Sequence, residues 1–312
     1  MSWKVLISAP YMQPVVEKFK PIFEENDIEI VIPPVNERLS EAELLGLIND
    51  INGVICGDDR FTKKVLHSAP SLKVISKWGT GIDSIDREEC AKQGIMVFNT
   101  PNAFTDPVAD TALSYILCFA RQVIWINRDL HEGKWNKRPL KSLSECTLGV
   151  IGVGNIGKAV VRRATSFGMS VLGNDIVSMP CDFIDETGIQ MVSKEDIFSN
   201  SDFISLNCDL NPTTYHLINR EAISLMKPSA YIINTARGPI IDENGLIEGL
   251  EKGLIAGAAL DVFENEPLPI NNPLLKMDNI ILSPHSANSS KRCWDQVHLN
   301  TIKNLLLGLK GK

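Results

Sequence analysis

The sequence predicts an α/β protein with two doubly wound parallel-sheet domains. The chain has 312 residues, which is more than a single hydrophobic core usually supports, so two domains are expected. Short apolar stretches alternate with amphipathic ones along most of the chain. This alternation with short connections is typical of parallel strands covered by helices on both faces. A glycine-rich turn at residues 152–157 joins one such strand to one such helix.

In the first hundred residues we expect five strands, at residues 4–8, 28–32, 53–56, 73–76 and 95–98. Helices are predicted at residues 13–25, from Ser40 onward, at 62–68 and at 83–93. Ser40 followed by Glu43 matches the capping box that begins a helix. Gly94 suits the left-handed position that ends one.

The remainder of the chain continues the alternation after one long helix, which is predicted at residues 106–132 and ends before Gly133. Further strands are expected at residues 147–151, 170–174, 203–207, 230–234, 256–260 and 279–283, with helices at 155–167 and 291–307. The two α/β units would then cover about residues 1–99 and 100–286. Periodicity alone does not assign the closing helix to either unit.

Composition narrows the class of protein. A net charge of −7 argues against a nucleic-acid or anionic-membrane partner, which would require a basic surface. The N-terminal apolar run is too short for a signal peptide, and no stretch approaches the roughly 18 apolar residues of a membrane span. The seven cysteines show no C-x-x-C spacing. Free thiols in a reducing cytoplasm are therefore favoured over disulfides or a metal site.

The glycine turn carries the first functional signal. Gly152, Gly154 and Gly157 have the G-x-G-x-x-G spacing, in which the first glycine permits a tight turn, the second lets a pyrophosphate approach, and the third lets helix and strand pack closely. The N-terminus of the following helix would attract the phosphates. An ordinary strand–helix turn is the alternative, but the flanking strand, helix and second strand favour a dinucleotide site.

An acidic residue indicates which dinucleotide binds. Asp175 ends the second predicted strand, 18 residues after Gly157, close to the spacing of the carboxylate that holds the adenine ribose. A carboxylate repels a 2′-phosphate, and no Arg or Lys follows it closely. The sequence therefore predicts NAD rather than NADP.

Three later predicted strands end in polar residues. Arg237 follows one strand, Asp261 follows the next and precedes Glu264 and Glu266, and His285 follows the third. Each one alone is more often a loop charge or a cap. Because carboxyl ends of parallel strands meet at one edge of a sheet, where ligands bind, we expect the three groups to converge.

This set of residues suits hydride transfer at a 2-oxo acid. Arginine offers a planar fork for a carboxylate or carbonyl, and histidine, with an ordinary pKa near neutrality, can exchange the hydroxyl proton. The other histidines are interpreted as surface residues in or beside helices: His67, His131, His216 and His298.

These segments resemble the D-isomer-specific 2-hydroxyacid dehydrogenase family over nearly the whole chain. The most specific matches are Asn-Thr-Ala-Arg-Gly at 234–238, Asp-Val-Phe-Glu-Asn-Glu-Pro at 261–267 and Pro-His at 284–285, supported by residues 78–86, 99–101 and 108–110. The resemblance implies a Rossmann NAD-binding domain, residues 100–286, inserted in a flavodoxin-like substrate domain made of residues 1–99 and 287–312. It also implies a homodimer formed through the helix around 106–132.

The resemblance further implies the roles of individual residues. Arg237 would bind the substrate, Glu266 would tune His285 as the acid/base, and Asp261 would hold the nicotinamide amide. The other implied cofactor contacts are Gly152, Gly154, Asn155, Ile156, Gly157, Asp175, Cys208, Thr235 and Ala236. The implied substrate contacts are the loop formed by Trp78, Gly79, Thr80 and Gly81, whose backbone N–H groups would take the carboxylate.

Several positions leave alternatives open. Arg60 is a candidate contact for a substrate phosphate or carboxylate, and a solvated loop arginine is the alternative reading. Trp78 stands where the family frequently has a small residue, and Asn155 replaces a frequent arginine. A formate dehydrogenase on this scaffold would be expected to carry Gln in place of Glu266. The sequence also leaves open a catalytically silent NAD-sensing or scaffold protein.

Overall fold

The computed structural model describes residues 2–311 and divides into two compact units. The first comprises Met1–Phe104 and Ser290–Lys312, and the second comprises Thr105–Ser289. Each unit contains one sheet whose paired strands are all parallel. The predicted fold class, two α/β units with parallel sheets, is confirmed.

The strands are β1 (Trp3–Ile7), β2 (Ile28–Val31), β3 (Gly53–Cys56), β4 (Val74–Lys77), β5 (Met96–Phe98), β6 (Thr147–Ile151), β7 (Ser170–Asn174), β8 (Gln190–Met191), β9 (Phe203–Leu206), β10 (Tyr231–Asn234), β11 (Gly257–Leu260) and β12 (Ile280–Leu282). The α-helices are α1 (Lys20–Glu25), α2 (Glu41–Leu47), α3 (Lys63–His67), α4 (Arg87–Lys92), α5 (Thr105–Ala120), α6 (Val123–His131), α7 (Asn155–Ser166), α8 (Cys181–Thr187), α9 (Lys194–Asn200), α10 (Arg220–Leu225), α11 (Glu243–Glu251) and α12 (Lys291–Lys310).

The first unit has the strand order β2-β1-β3-β4-β5, which is the flavodoxin-like order. Its closing helix, α12, lies directly on the sheet. A Cβ added at Gly53 would come 2.7 Å from Leu305, and one added at Gly308 would come 2.3 Å from Val74. The two glycines therefore allow close contact of α12 with β3 and β4, which periodicity could not establish. No helix within residues 2–311 combines the length and apolarity needed to cross a membrane.

The second unit has the order β12-β11-β10-β9-β6-β7-β8. Reading outward from β6, the chain adds β7 and β8 on one side and then β9 to β12 on the other. The direction of strand addition thus reverses between β6 and β9, and ligands of open α/β sheets bind in the crevice at such a switch point. The glycine turn follows β6 and therefore lies at this position.

The prediction of one continuous helix at 106–132 is wrong. The segment is two helices, α5 and α6, because Gln122 between them has a left-handed φ of +46°. Similarly, the helix expected at 13–25 is a 3-10 helix at Gln13–Phe19 followed by α1. Each segment has a proline in its first turn, and a proline lacks the N–H that would continue a preceding helix.

The helix expected at 83–93 begins later, at Arg87. Asp86 is its N-cap, and the Asp86 carboxylate accepts a hydrogen bond from the N–H of Glu89. Ile85 forms an isolated parallel bridge with Phe61 instead of joining the helix. The predicted start of α2 is confirmed: Ser40 and Glu43 form its capping box.

Candidate active site

The glycine turn after β6 has the close contacts that its spacing predicts. Gly152 adopts a φ of +88°, and a Cβ there would lie 2.5 Å from the backbone nitrogen of Cys208. A Cβ at Gly157 would lie 2.0 Å from the carbonyl oxygen of Gly152. At Gly154, by contrast, an added Cβ meets no heavy atom within 4 Å. Two glycines are needed for packing, and the third leaves space where a ligand can approach the backbone.

Asp175 lies immediately after β7 rather than at its end, and its carboxylate faces the glycine turn. One oxygen accepts the N–H of Val153 at 2.6 Å, and the other accepts the N–H of Val177 at 2.9 Å. A carboxylate offers about four acceptor positions, so each oxygen retains capacity for a ribose hydroxyl. Ile176 beside it is 96% exposed, an apolar surface that the sequence analysis did not single out.

The other predicted cofactor residues lie at the same sheet edge. Asn155 and Ile156 form the first turn of α7, whose N-terminal N–H groups favour anions. Cys208 follows β9, and burial raises the pKa of its thiol to about 11. Thr235 follows β10, and within residues 2–311 its buried Oγ1 has no hydrogen-bond partner. An unsatisfied buried hydroxyl at this edge of the sheet fits a polar ligand such as a dinucleotide.

Arg237 is placed by a tight turn after β10. Asn234, which is fully buried, accepts the N–H of Ala236 at 3.0 Å and donates to the carbonyl of Arg237 at 2.9 Å. Gly238 then packs against another loop, since a Cβ there would lie 1.9 Å from the backbone carbon of Phe263. This close approach brings the Arg237 turn against the loop that carries the acidic residues.

Glu266 and His285 form a hydrogen-bonded pair in that region. The Nδ1 of His285 lies 3.0 Å from the Oε2 of Glu266, while the Oε1 of Glu266 accepts the N–H of Phe263 at 2.9 Å. A carboxylate only accepts hydrogen bonds, so Nδ1 of His285 carries the proton. His285 itself has a left-handed φ of +50°. The pair has the geometry of a histidine oriented by a carboxylate.

Asp261 holds the turn that carries His285. It is 1% exposed, and its two oxygens accept the N–H groups of Ser286 and Ala287, each at 2.9 Å. The carbonyl of Asp261 accepts the N–H of His285 at 2.8 Å. Burial raises the pKa of the Asp261 carboxyl, against the effect of these donors. The role in binding nicotinamide implied by the resemblance stays a prediction.

The predicted substrate loop, residues 78–81, lies at the carboxyl end of β4 in the first unit. Thr100 donates to the carbonyl of Gly79 from its N–H and its hydroxyl, both at 2.9 Å, and the Asn99 amide donates to the carbonyl of Thr80 at 2.6 Å. The N–H groups of Gly79, Thr80 and Gly81 donate to no acceptor within the described residues 2–311. Arg60, after β3, is exposed.

His298 was predicted to be a surface residue, and this is wrong. It is 3% exposed and accepts a hydrogen bond at Nδ1 from the indole Nε1 of Trp78 at 2.9 Å. Burial lowers the pKa of His298. Sequence reasoning missed it because its burial depends on where α12 packs.

A second histidine pair was also missed. The Nε2 of His216 lies 2.8 Å from the Oε1 of Glu264, and both side chains are partly buried. Glu264 thus pairs with His216, whereas Glu266 pairs with His285. The structure thereby separates two carboxylates that lie two positions apart in one loop.

Comparison with known proteins agrees with this geometry. A family model described as D-isomer specific 2-hydroxyacid dehydrogenase, NAD binding domain, matches residues 113–287. The chain is 39% identical over 260 residues to a glyoxylate reductase of Korarchaeum cryptofilum, with 81% of this chain and 78% of that protein covered. It is 37% identical over 275 residues to a hydroxypyruvate reductase of Thermotoga maritima, with 86% and 89% covered.

Solved structures extend the similarity to the whole fold. The chain superposes on a D-lactate dehydrogenase of Aquifex aeolicus, complexed with NAD and lactic acid, with a TM-score of 0.89 and 28% identity. That match covers 99% of this chain and 96% of the other. The resemblance drawn from the sequence is confirmed. The chain belongs to the D-isomer specific 2-hydroxyacid dehydrogenase family and is an NAD-dependent oxidoreductase of that family.

Proposed function

We propose that this protein reduces a small 2-oxo acid of the glyoxylate or hydroxypyruvate type to its D-2-hydroxy acid, reversibly. The observation that carries the proposal is the 3.0 Å contact between His285 and Glu266, at the same sheet edge as the glycine turn. The relatives named glyoxylate reductase and hydroxypyruvate reductase support the choice of substrate class.

In the reductive direction, NADH, when bound, would supply the hydride that reduces the carbonyl carbon of the substrate. His285 would donate the proton from Nε2 to the carbonyl oxygen, so that the products are the hydroxy acid and NAD. Glu266 would hold the imidazole at Nδ1 and stabilise its protonated form before transfer. In the oxidative direction the same nitrogen would take the hydroxyl proton.

For NAD itself, we propose that the pyrophosphate lies over Gly154 and the start of α7. The adenine ribose would donate its hydroxyls to Asp175, and the exposed Ile176 would pack beside the adenine. Thr235, whose hydroxyl is buried and unsatisfied, would contact the cofactor. Residues 105–289 are accordingly proposed as the NAD-binding domain.

For the substrate, we propose that Arg237 binds an oxygen of the 2-oxo acid group. The three N–H groups of Gly79, Thr80 and Gly81 are proposed as carboxylate donors, because they follow one another in one short loop and have no protein acceptor within residues 2–311. Residues 1–104 and 290–312 are accordingly proposed as the substrate domain.

We further propose a homodimer that forms through α5 and α6. No residue of α6 is buried. The exposed residues include apolar ones: Val123 and Leu130 are each 54% exposed, and Trp135, beyond the helix, is 80% exposed. Such apolar exposure is typical of an interface. Light scattering should give twice the chain mass, and Leu130→Glu should give the monomer.

All seven cysteines are free thiols, which supports a cytoplasmic location.

The decisive experiment is NADH oxidation with a panel of acids: glyoxylate, hydroxypyruvate, pyruvate, 2-oxoglutarate and 3-phosphohydroxypyruvate. We expect turnover with one of the first two and its loss in His285→Ala, with the Kd for NADH nearly unchanged. Retained turnover in His285→Ala would refute the assignment of the acid/base. Tight NADH binding without turnover on any acid would instead support an NAD-sensing scaffold.

A further inference from the structure

A buried hydrogen bond joins the closing helix of the first unit to the loop after β4. Trp78 Nε1 donates to His298 Nδ1 at 2.9 Å, and both side chains are 3% exposed. Trp78 directly precedes Gly79, whose φ of +133° begins the loop proposed above to bind a carboxylate. We propose that His298 is a positioning residue for this loop, an inference that rests on the proposed function.

The surroundings of Trp78 explain why a polar partner is needed to set its orientation. Rings surround the indole with centroid separations of 5.0–5.7 Å, contributed by Tyr11, Phe104, Trp294 and His298. Aromatic pairs are favourable in both offset-stacked and edge-to-face arrangements, so ring packing of this kind is compatible with more than one tilt of the indole. A hydrogen bond at one ring nitrogen selects a single tilt, because it weakens steeply when misaligned.

The two ends of the loop are held differently. On the far side, Asn99 and Thr100 bind the carbonyl oxygens of Thr80 and Gly79. On the near side, the backbone N–H of Trp78 donates to Cys56 at 2.9 Å, and the indole is held by His298. The backbone contacts on the far side hold carbonyl oxygens, and the hydroxyl of Thr80 donates to the carbonyl of Thr100 at 3.3 Å. Because each peptide unit is planar, the contacts to the carbonyls of Gly79 and Thr80 also fix the N–H groups of Thr80 and Gly81. The N–H of Gly79 shares its peptide unit with the carbonyl of Trp78, so its direction depends on the rotation of the backbone at Trp78, which the indole bond restrains.

The bond also specifies the protonation state of His298. Indole N–H only donates, so Nδ1 must accept, and the ring is the neutral tautomer protonated at Nε2. In a protonated ring, Nδ1 would also carry a hydrogen, and this N–H would face the indole N–H of Trp78. The charged groups that act on this ring are Asp295 of α12, which favours the protonated form, and Lys18 of the first 3-10 helix, which disfavours it. The effect of burial exceeds that of Asp295, so the pKa of His298 lies below its ordinary value.

The test uses two substitutions of His298 and one control. His298→Leu removes the acceptor at similar volume, whereas His298→Asn keeps an oxygen near the position of Nδ1. Asn52→Leu is the matched control: Asn52 accepts the N–H of Lys4 at 2.8 Å at the amino ends of β1 and β3, away from the loop. Each variant is assayed below its unfolding temperature for the KM of the oxo acid, the Kd of NADH and the Kd of oxamate, an unreactive 2-oxo acid analogue.

We expect His298→Leu to raise the KM of the oxo acid and the Kd of oxamate about 10-fold or more, because small misplacements of binding groups are costly. The Kd of NADH should stay within about 2-fold, since its proposed contacts lie on the second unit. His298→Asn should recover most of the loss. Asn52→Leu should lower stability without changing either constant for the acid.

The outcomes separate this inference from the proposed function. Oxamate binding by the wild type without turnover would contradict the proposed reaction, and the His298 series would still be read from oxamate alone. Equal oxamate Kd values in wild type and His298→Leu would overturn the inference, as would a loss in Asn52→Leu of the same size. Failure of the wild type to bind oxamate would also overturn it.

Discussion

Replacing Glu266 by Gln tests the proposed acid/base pair most directly. Glu266 uses one oxygen for the N–H of Phe263 at 2.9 Å and the other for Nδ1 of His285 at 3.0 Å. Gln has one oxygen and one NH₂, so when its oxygen accepts the N–H of Phe263, its NH₂ faces Nδ1 of His285. Nδ1 must then accept, and the imidazole protonated at both nitrogens loses its partner. One charge-assisted hydrogen bond is lost, and such a bond contributes about 1.5–3 kcal/mol.

If that energy is expressed in the transition state, in which His285 gives up or takes a proton, kcat/KM should fall roughly 10- to 150-fold. The assay is steady-state NADH oxidation with the best acid of the panel, together with fluorescence titration of NADH. The NADH Kd should stay near the wild-type value, because Glu266 is not among the proposed cofactor contacts.

The neighbouring carboxylate supplies the control for this variant. Glu264 contacts His216 and not His285, so Glu264→Gln makes the same chemical change two positions away. We expect its kcat/KM to remain within about 3-fold of wild type, since its effect falls on stability. Equal losses in the two variants, or a Glu266→Gln enzyme as active as wild type, would refute the pairing argument.

Three further predictions concern the cofactor turn and the buried histidine. Gly157→Ala should lower the free energy of unfolding, measured in guanidinium, by about 1–3 kcal/mol, because its Cβ would lie 2.0 Å from a backbone oxygen. Gly154→Ala should leave the free energy of unfolding unchanged and raise the Kd of NADH, measured by titration. Asp175→Asn should reduce the preference for NADH over NADPH at least about 10-fold in kcat/KM, because it removes the charge that repels a 2′-phosphate. Because burial lowers the pKa of His298 below 6.5, the unfolded chain binds that proton more tightly, so wild-type stability should fall as pH drops below about 6.5. The unfolding midpoint of His298→Asn should lack this part of the pH dependence.

The strands could be predicted closely because their apolar runs are short and bounded by turns. The second-unit strand Thr147–Ile151 was predicted with both ends correct, and β8, with two residues, was too short to give a pattern. The break at Gln122 was missed because apolar residues continue on both sides of it and a left-handed φ is uncommon for glutamine. The burial of His298 was missed for another reason: one helix shows its own amphipathic period but not the surface that covers it.

The convergence of Arg237, Asp261 and His285 was predictable because it follows from the register of three neighbouring parallel strands. Asn234 pairs with Leu260 and Leu260 pairs with Leu282, so the three strands end side by side and their next residues meet at one edge. The sequence could not show how rigidly that edge is held. Gly238 packs on the backbone at Phe263, Glu266 binds the N–H of Phe263, and the Asp261 carboxylate holds the turn after His285.

These contacts join the three loops through backbone atoms, which side-chain patterns do not reveal. In the proposed reaction, loops held in this way would keep the histidine and arginine oriented before a substrate arrives, and such preorganisation lowers the reorganisation needed in the transition state. It follows that Asn234 and Gly238, neither of which is a candidate for contact with a reacting atom, belong to the same functional unit as Arg237. Asn234 is required by the turn, which its side chain holds through two hydrogen bonds. Glycine is required at position 238 because a Cβ there would lie 1.9 Å from the neighbouring backbone.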